Sequence, residues 1–207
     1  MVNVAEKQRW TWGRLFSIVI PAVMIVGGAA LFSYHGWSYM KQTVLLRFFP
    51  AIEYVPGQNG LWSPEPKIGE KIGDLHIPSL NVDVPIIHGT EARELERGAG
   101  HYPESSLPGQ GGHVYVAGHR DTVFIKLKDL KIGDTIEFAT PYGTYIYEAT
   151  GFQIVPDTDT SVLAATDFET LTLQTCYPFG FIGPAPDRYI VQTKFIGIAL
   201  TEPTTRF

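Results

Sequence analysis

The chain contains one cysteine, Cys176, and it closes the stretch Leu171-Thr172-Leu173-Gln174-Thr175-Cys176. A lone thiol cannot form an intramolecular disulfide, so Cys176 is either a packed small hydrophobe or a nucleophile. A free thiol has a pKa of about 8.5, so attack at neutral pH needs a basic partner or positive surroundings. Of the six histidines, His119 has the right setting. Val114-Tyr115-Val116-Ala117 reads as a strand, Gly118 lets the backbone turn closely, and polar Arg120-Asp121-Thr122 follow. His35 flanks an apolar run, whereas His76, His88, His101 and His113 read as surface or strand positions. Arg188, in Pro186-Asp187-Arg188-Tyr189-Ile190-Val191, begins a further β-type run. Arginine stays charged and carries five donors, which suits it to a substrate carbonyl or a developing oxyanion. Its plainer role is an ion pair with Asp187 or another nearby acid.

These three residues need strands to carry them. Residues 170–175 alternate Thr172 and Gln174 against Leu171, Leu173 and Thr175, as a half-buried strand does. Tyr177-Pro178-Phe179-Gly180 then breaks it. Leu75 and Ile77, then Val82, Val84 and Ile86, predict two short strands about a Pro78-Ser79 turn. Thr90 is placed to cap a short helix from Glu91 to Arg97, ended by Gly98. Gly109 to Gly112 reads as a loop before a strand from His113 to Ala117. The runs 134–140 and 144–150 form a hairpin through Pro141-Tyr142-Gly143, and Tyr189 to Phe195 is the last strand. Seven or eight short strands with one or two helical pieces predict an all-β closed barrel or sandwich.

From Leu15 to Tyr34 no residue is charged. About 20 residues at about 1.5 Å each span the hydrocarbon layer of a bilayer. Trp10 and Trp12 flank one end and Tyr34, Trp37 and Tyr39 the other, while Lys7, Arg9 and Arg14 favour a cytoplasmic N-terminus. A cleaved signal peptide ending at Gly27-Gly28-Ala29-Ala30 is the competing reading, but the apolar run continues past those residues. The expected organisation is a cytoplasmic N-terminus over 1–14, a transmembrane helix over 15–34, an extracytoplasmic Pro/Gly-rich arm over 35–70, the catalytic domain over 71–200 and a tail over 201–207. Exported domains usually use cysteines in pairs, so a single exported thiol calls for a reason, and catalysis is one. With 16 Lys and Arg against 21 Asp and Glu, the chain has no basic surplus to attract nucleic acid. No motif has metal-ligand spacing.

The segment Thr172-Leu173-Gln174-Thr175-Cys176 resembles the T-L-x-T-C signature of the sortases, the membrane-anchored cysteine transpeptidases of bacterial surfaces. The loop Ala117-Gly118-His119-Arg120-Asp121-Thr122 resembles the histidine motif of that family, Arg188 matches its arginine, and the order His, Cys, Arg is kept. Gly98-Ala99-Gly100-His101-Tyr102-Pro103 and Thr175-Cys176-Tyr177-Pro178-Phe179 make the chain most similar to class D. The pilin-polymerising class C usually has an Asp-Pro-aromatic lid motif and a second, C-terminal span, and neither is seen here. The resemblance implies an eight-stranded sortase β-barrel with His119, Cys176 and Arg188 as catalytic residues and Thr175, Thr122 and Leu173 at the substrate. It also implies secreted substrates bearing C-terminal LPxTG-like signals, a peptidoglycan or lipid II amine as acceptor, and a single-pass location in the bacterial cell membrane. No cofactor is expected, and the calcium that some sortases use is left open. An exported cysteine peptidase, an L,D-transpeptidase and a non-catalytic anchored β-domain are the alternatives. A papain-type peptidase has its cysteine before its histidine, and an L,D-transpeptidase has S-x-G-C, so neither fits the order and context found here.

Overall fold

Strand pairing supplies the architecture. The computed structural model describes residues 19–33, 36, 61–181 and 183–199. The chain divides into two units, Met1–Val44 and Leu45–Phe207. In the first, residues 19–33 form a helix (α1) whose apolar side chains are exposed. No helix among the described residues is long and apolar enough to cross a membrane. Residues 15–18 and 34 of the expected span lie outside the described residues, as do 1–14, 37–60 and 200–207.

In the second unit the described residues form eight strands. These are β1 (Lys71–Ile77), β2 (Val82–His88), β3 (Ala99–His101), β4 (His113–Gly118), β5 (Thr135–Thr140), β6 (Gly143–Pro156), β7 (Thr170–Tyr177) and β8 (Asp187–Ala199). They close in the order β1-β2-β3-β4-β7-β8-β6-β5, a barrel and not a sandwich, so no long edge is left unpaired. Inward positions fill the interior: Ile72, Leu75 and Ile77 from β1, Leu171 and Leu173 from β7, and Val191 from β8 are all fully buried. The β5–β6 hairpin forms as predicted, with Thr140 opposite Gly143 and Gly143 at φ 140°.

Three features depart from expectation. The short helix α2 covers only Ala92–Leu95, and its N-cap is Glu91 without a side-chain cap, so Thr90 does not cap it. The C-cap is Glu96, ahead of Gly98. The strand β3, which pairs parallel to β2 and antiparallel to β4, is three residues long and has no period to read. The strands β6 and β8 run well past their predicted ends because register shifts at Ile146/Tyr147 and Ala149/Gly151 let them bend and stay paired.

The arm contributes to the core. Trp62 is 2% exposed, its indole Nε1 donates to the Pro108 carbonyl at 2.7 Å, and its ring meets Tyr142 edge-on at 4.9 Å. Pro108 and Tyr142 belong to the connections that lead into β4 and β6, and both of these strands run parallel to β7. Trp62 therefore plugs the end of the barrel opposite Cys176, and residues 61–66 are not a lid over it. A domain excised for study has to begin before this residue. Trp62→Ala is expected to cost about 3–5 kcal/mol in denaturant unfolding, as deletion of a buried large aromatic does. A loss under about 1 kcal/mol would show the arm to be dispensable.

The same end holds a buried histidine pair. The His101 Nε2–H donates to the Ser106 carbonyl at 2.9 Å, so its Nδ1 accepts from His88 Nδ1–H at 3.0 Å. Burial lowers the His101 pKa from 6.5 to about 4 and lowers that of His88 too. The unfolded chain thus binds more protons in this window. Stability is full above pH 6.5 and declines as pH falls toward about 4. Thermal melts across this range are expected to show the decline, and His101→Asn to flatten it. An equally steep decline in the variant would assign the effect to other groups.

Candidate active site

The strand β7 lies between a parallel neighbour, β4, and an antiparallel one, β8. Thr175 pairs with Gly118, so the next position on each strand sets Cys176 beside His119. On the other side Cys176 is the direct partner of Arg188. Adjacent strands lie about 4.8 Å apart, so the three residues share one rim of the barrel, with Cys176 in the middle. The side-chain alternation then decides exposure. Leu171, Leu173 and Thr175 point inward and are buried, while Gln174 and Cys176 are half-exposed on the outer face. The thiol is free. A thiol placed this way is held by the sheet and open to a substrate.

Each residue has local support. Gly118 is required by packing and not by a turn of positive φ, because a Cβ there would lie 2.5 Å from Phe124 Cδ2. The turn that carries His119 is closed by Phe124 N–H donating to the His119 carbonyl at 3.0 Å. The Thr175 hydroxyl donates to the Gly118 carbonyl at 2.7 Å and ties the two strands immediately before the reactive pair. Arg188 Nη1 donates to the Ala185 and Asp187 carbonyls at 3.1 and 3.0 Å, and Nη2 lies 3.7 Å from the Asp157 carboxylate. That contact is long and partly exposed, a weak pair that a substrate can displace. Arg120 reaches across the mouth of the site. Its Nη2 donates to the Phe181 and Gly183 carbonyls, both at 2.8 Å, and its guanidinium stands 5.8 Å from the Phe181 ring centre. It thereby fastens the β7–β8 connection to the histidine turn.

Of the other residues expected at the substrate, Thr122 lies in the histidine turn, half-buried, with its hydroxyl oxygen buried and unpaired among the described residues. Leu173 is fully buried in the barrel core, where a substrate does not reach. Thr175 is 1% exposed with its hydroxyl engaged to Gly118, so it acts on the site through the strand β4.

The sequence passed over the outer face below the rim. Tyr115 donates its hydroxyl to Gln174 Oε1, and burial raises its phenol pKa against the opposing charge of Arg188. Beyond it a groove of about 460 Å³ lies between the outer faces of β7, β8 and β6 and the connection 157–169. His113, Thr172, Ile190 and Gln192 line its floor, and Val162 and Ala164 its other wall. Among the described residues no three His, Cys, Asp or Glu side chains converge as metal ligands would. A free thiol set between an imidazole and a guanidinium on one rim is an arrangement suited to acyl transfer.

Residues 75–196 match the family model described as the sortase domain. Sortase D of Bacillus subtilis is 42% identical over 131 residues, which cover 63% of this chain and 66%, about two thirds, of that protein. The catalytic domain of SrtD from B. anthracis is 38% identical with a TM-score of 0.59, covering 70% of this chain and 100% of that one. A Clostridium perfringens sortase D5 transpeptidase is 30% identical with a TM-score of 0.63, covering 76% and 99%.

Proposed function

The chain belongs to the sortase family of cysteine transpeptidases, and we propose that it cleaves an LPxTG-like signal after the threonine and joins the new carboxyl end to a cell-wall amine. The observation that carries this reading is the register, which flanks Cys176 with His119 on one side and Arg188 on the other. In the first half-reaction the Cys176 thiolate attacks the threonine carbonyl and Arg188 holds the oxyanion. The C–N bond breaks as His119 gives its proton to the departing amine, leaving a thioacyl-enzyme. In the second half an amine of peptidoglycan or lipid II attacks that carbonyl and yields its proton to His119. The C–S bond breaks and the thiolate returns. No step calls for a cofactor.

The groove supports a peptide substrate. Cys176 lies four positions beyond Thr172, about 13 Å along a strand, the length of the four residues that precede the cleaved bond. The apolar run 15–34 would anchor the protein in the bacterial membrane with its N-terminus in the cytoplasm. The test mixes the full-length protein with LPxTG-like peptides and amines, glycine-type and diaminopimelate-type, and reads products by mass spectrometry. Ligated peptide is expected. Cleavage with every amine left unused would make the protein a peptidase.

A further inference from the structure

One wall of the groove is the connection between β6 and β7. Between β6 and β7 the chain must return along the whole outer face, because these strands run parallel and the connection 157–169 leaves one end and rejoins at the other. Over 158–168, among the described residues, the hydrogen bonds stay within the segment or run back to the adjoining Pro156 at the end of β6, except one. That one joins His113 Nδ1 to the Ala164 carbonyl at 2.8 Å. Ala164 follows the 3-10 turn Ser161–Leu163 and donates back to the Ser161 carbonyl, so the bond fixes the whole turn above the groove.

His113 is equipped for this by its other nitrogen. A carbonyl only accepts, so Nδ1 carries the proton, and Nε2 accepts from the Thr172 hydroxyl at 2.8 Å. His113 is 8% exposed, and its ring joins three elements: β4, β7 and the β6–β7 connection. It is also one of the residues that line the groove. Without the His113 donor the Ala164 carbonyl loses its partner, and the turn loses the hydrogen bond that sets its height.

We propose that His113 is a positioning residue for the peptide substrate, a latch that holds the 3-10 turn at the height an extended sorting signal needs. This rests on the peptide reading of the groove. The latch acts on binding and not on the chemistry, since His113 lies on the strand β4 several residues below His119 and touches none of the reacting groups.

Two substitutions separate the hydrogen bond from the ring. His113→Phe keeps a ring and removes the donor, while His113→Asn keeps a donor near the place of Nδ1. With the full-length protein and an LPxTG-like peptide, His113→Phe is expected to raise KM about tenfold with kcat within twofold. Alkylation of Cys176 by iodoacetamide should stay within twofold, and His113→Asn should bring KM back to within threefold of the parent. Hydrogen exchange of the free protein should quicken over 158–168 in the Phe variant and elsewhere stay as in the parent. A Phe variant with parental KM, or one whose kcat and alkylation fall together with its binding, overturns the latch. If the parent protein forms no thioacyl-enzyme with any peptide, the peptide reading fails instead. Exchange over 158–168 then decides the latch alone, and unchanged exchange overturns it. Should the Phe variant not fold, Thr172→Val, which removes the donor to Nε2, is expected to raise KM in the same direction with kcat unchanged, and a parental KM there also overturns the proposal.

Discussion

Cys176→Ala is expected to abolish both cleavage and ligation of an LPxTG-like peptide, by a factor on the order of 10⁶ in kcat, the size of effect met when a covalent nucleophile is deleted. The prediction follows from position. Cys176 is half-exposed at the end of an otherwise buried strand, and it is the only thiol in the chain. Removing a half-exposed sulfur leaves little cavity, so unfolding free energy should move by less than about 1 kcal/mol. Activity and stability are then separable, and the two are measured by mass spectrometry of products and by denaturant unfolding. Activity retained within tenfold would return Cys176 to the role of a packed hydrophobe.

His119→Ala is the second large effect, a fall of about 10²–10⁴ in kcat/KM, the usual contribution of a positioned acid or base. In the proposed mechanism His119 performs two proton transfers, one to the departing amine and one from the incoming amine. Both are lost together, so acylation and deacylation slow in parallel. A variant that keeps kcat/KM within tenfold of the parent would show that another group moves the proton.

Much of this site is legible in the sequence because each candidate catalytic residue lies at or just beyond the end of a strand. A run of alternating Leu and Thr names the strand β7, and an aliphatic run closed by Gly118 names β4, so Cys176 and His119 are read as presented residues before any pairing is known. Pairing itself is less legible. That Arg188 stands directly opposite Cys176 depends on a β7–β8 connection whose turns, at Gly180 and Gly183, fix the register. The strand β3 is too short for a period to appear, and Gly151 lies where β6 bulges, which hides the length of that strand.

Long-range side-chain contacts were the least visible. Trp62 sits in a Pro-rich arm with no apolar repeat, yet it closes the barrel through partners 46 and 80 positions away. His113 reads as an ordinary first residue of a strand, and its contacts are 51 and 59 positions distant. Leu173 belongs to the signature next to Cys176 but faces inward, because side chains on a strand alternate and Cys176 is three positions on. Motif membership carried no information about which face a residue takes.

The most direct test of the central claim traps the intermediate. The full-length protein is mixed with an LPxTG-like peptide in the absence of amine, quenched in acid within one turnover, and its intact mass and peptide map are measured. The account predicts an adduct equal to the peptide acyl fragment, attached to Cys176, which disappears with formation of ligated product when amine is added. Peptide turnover with no such adduct, or an adduct at any other residue, would contradict it.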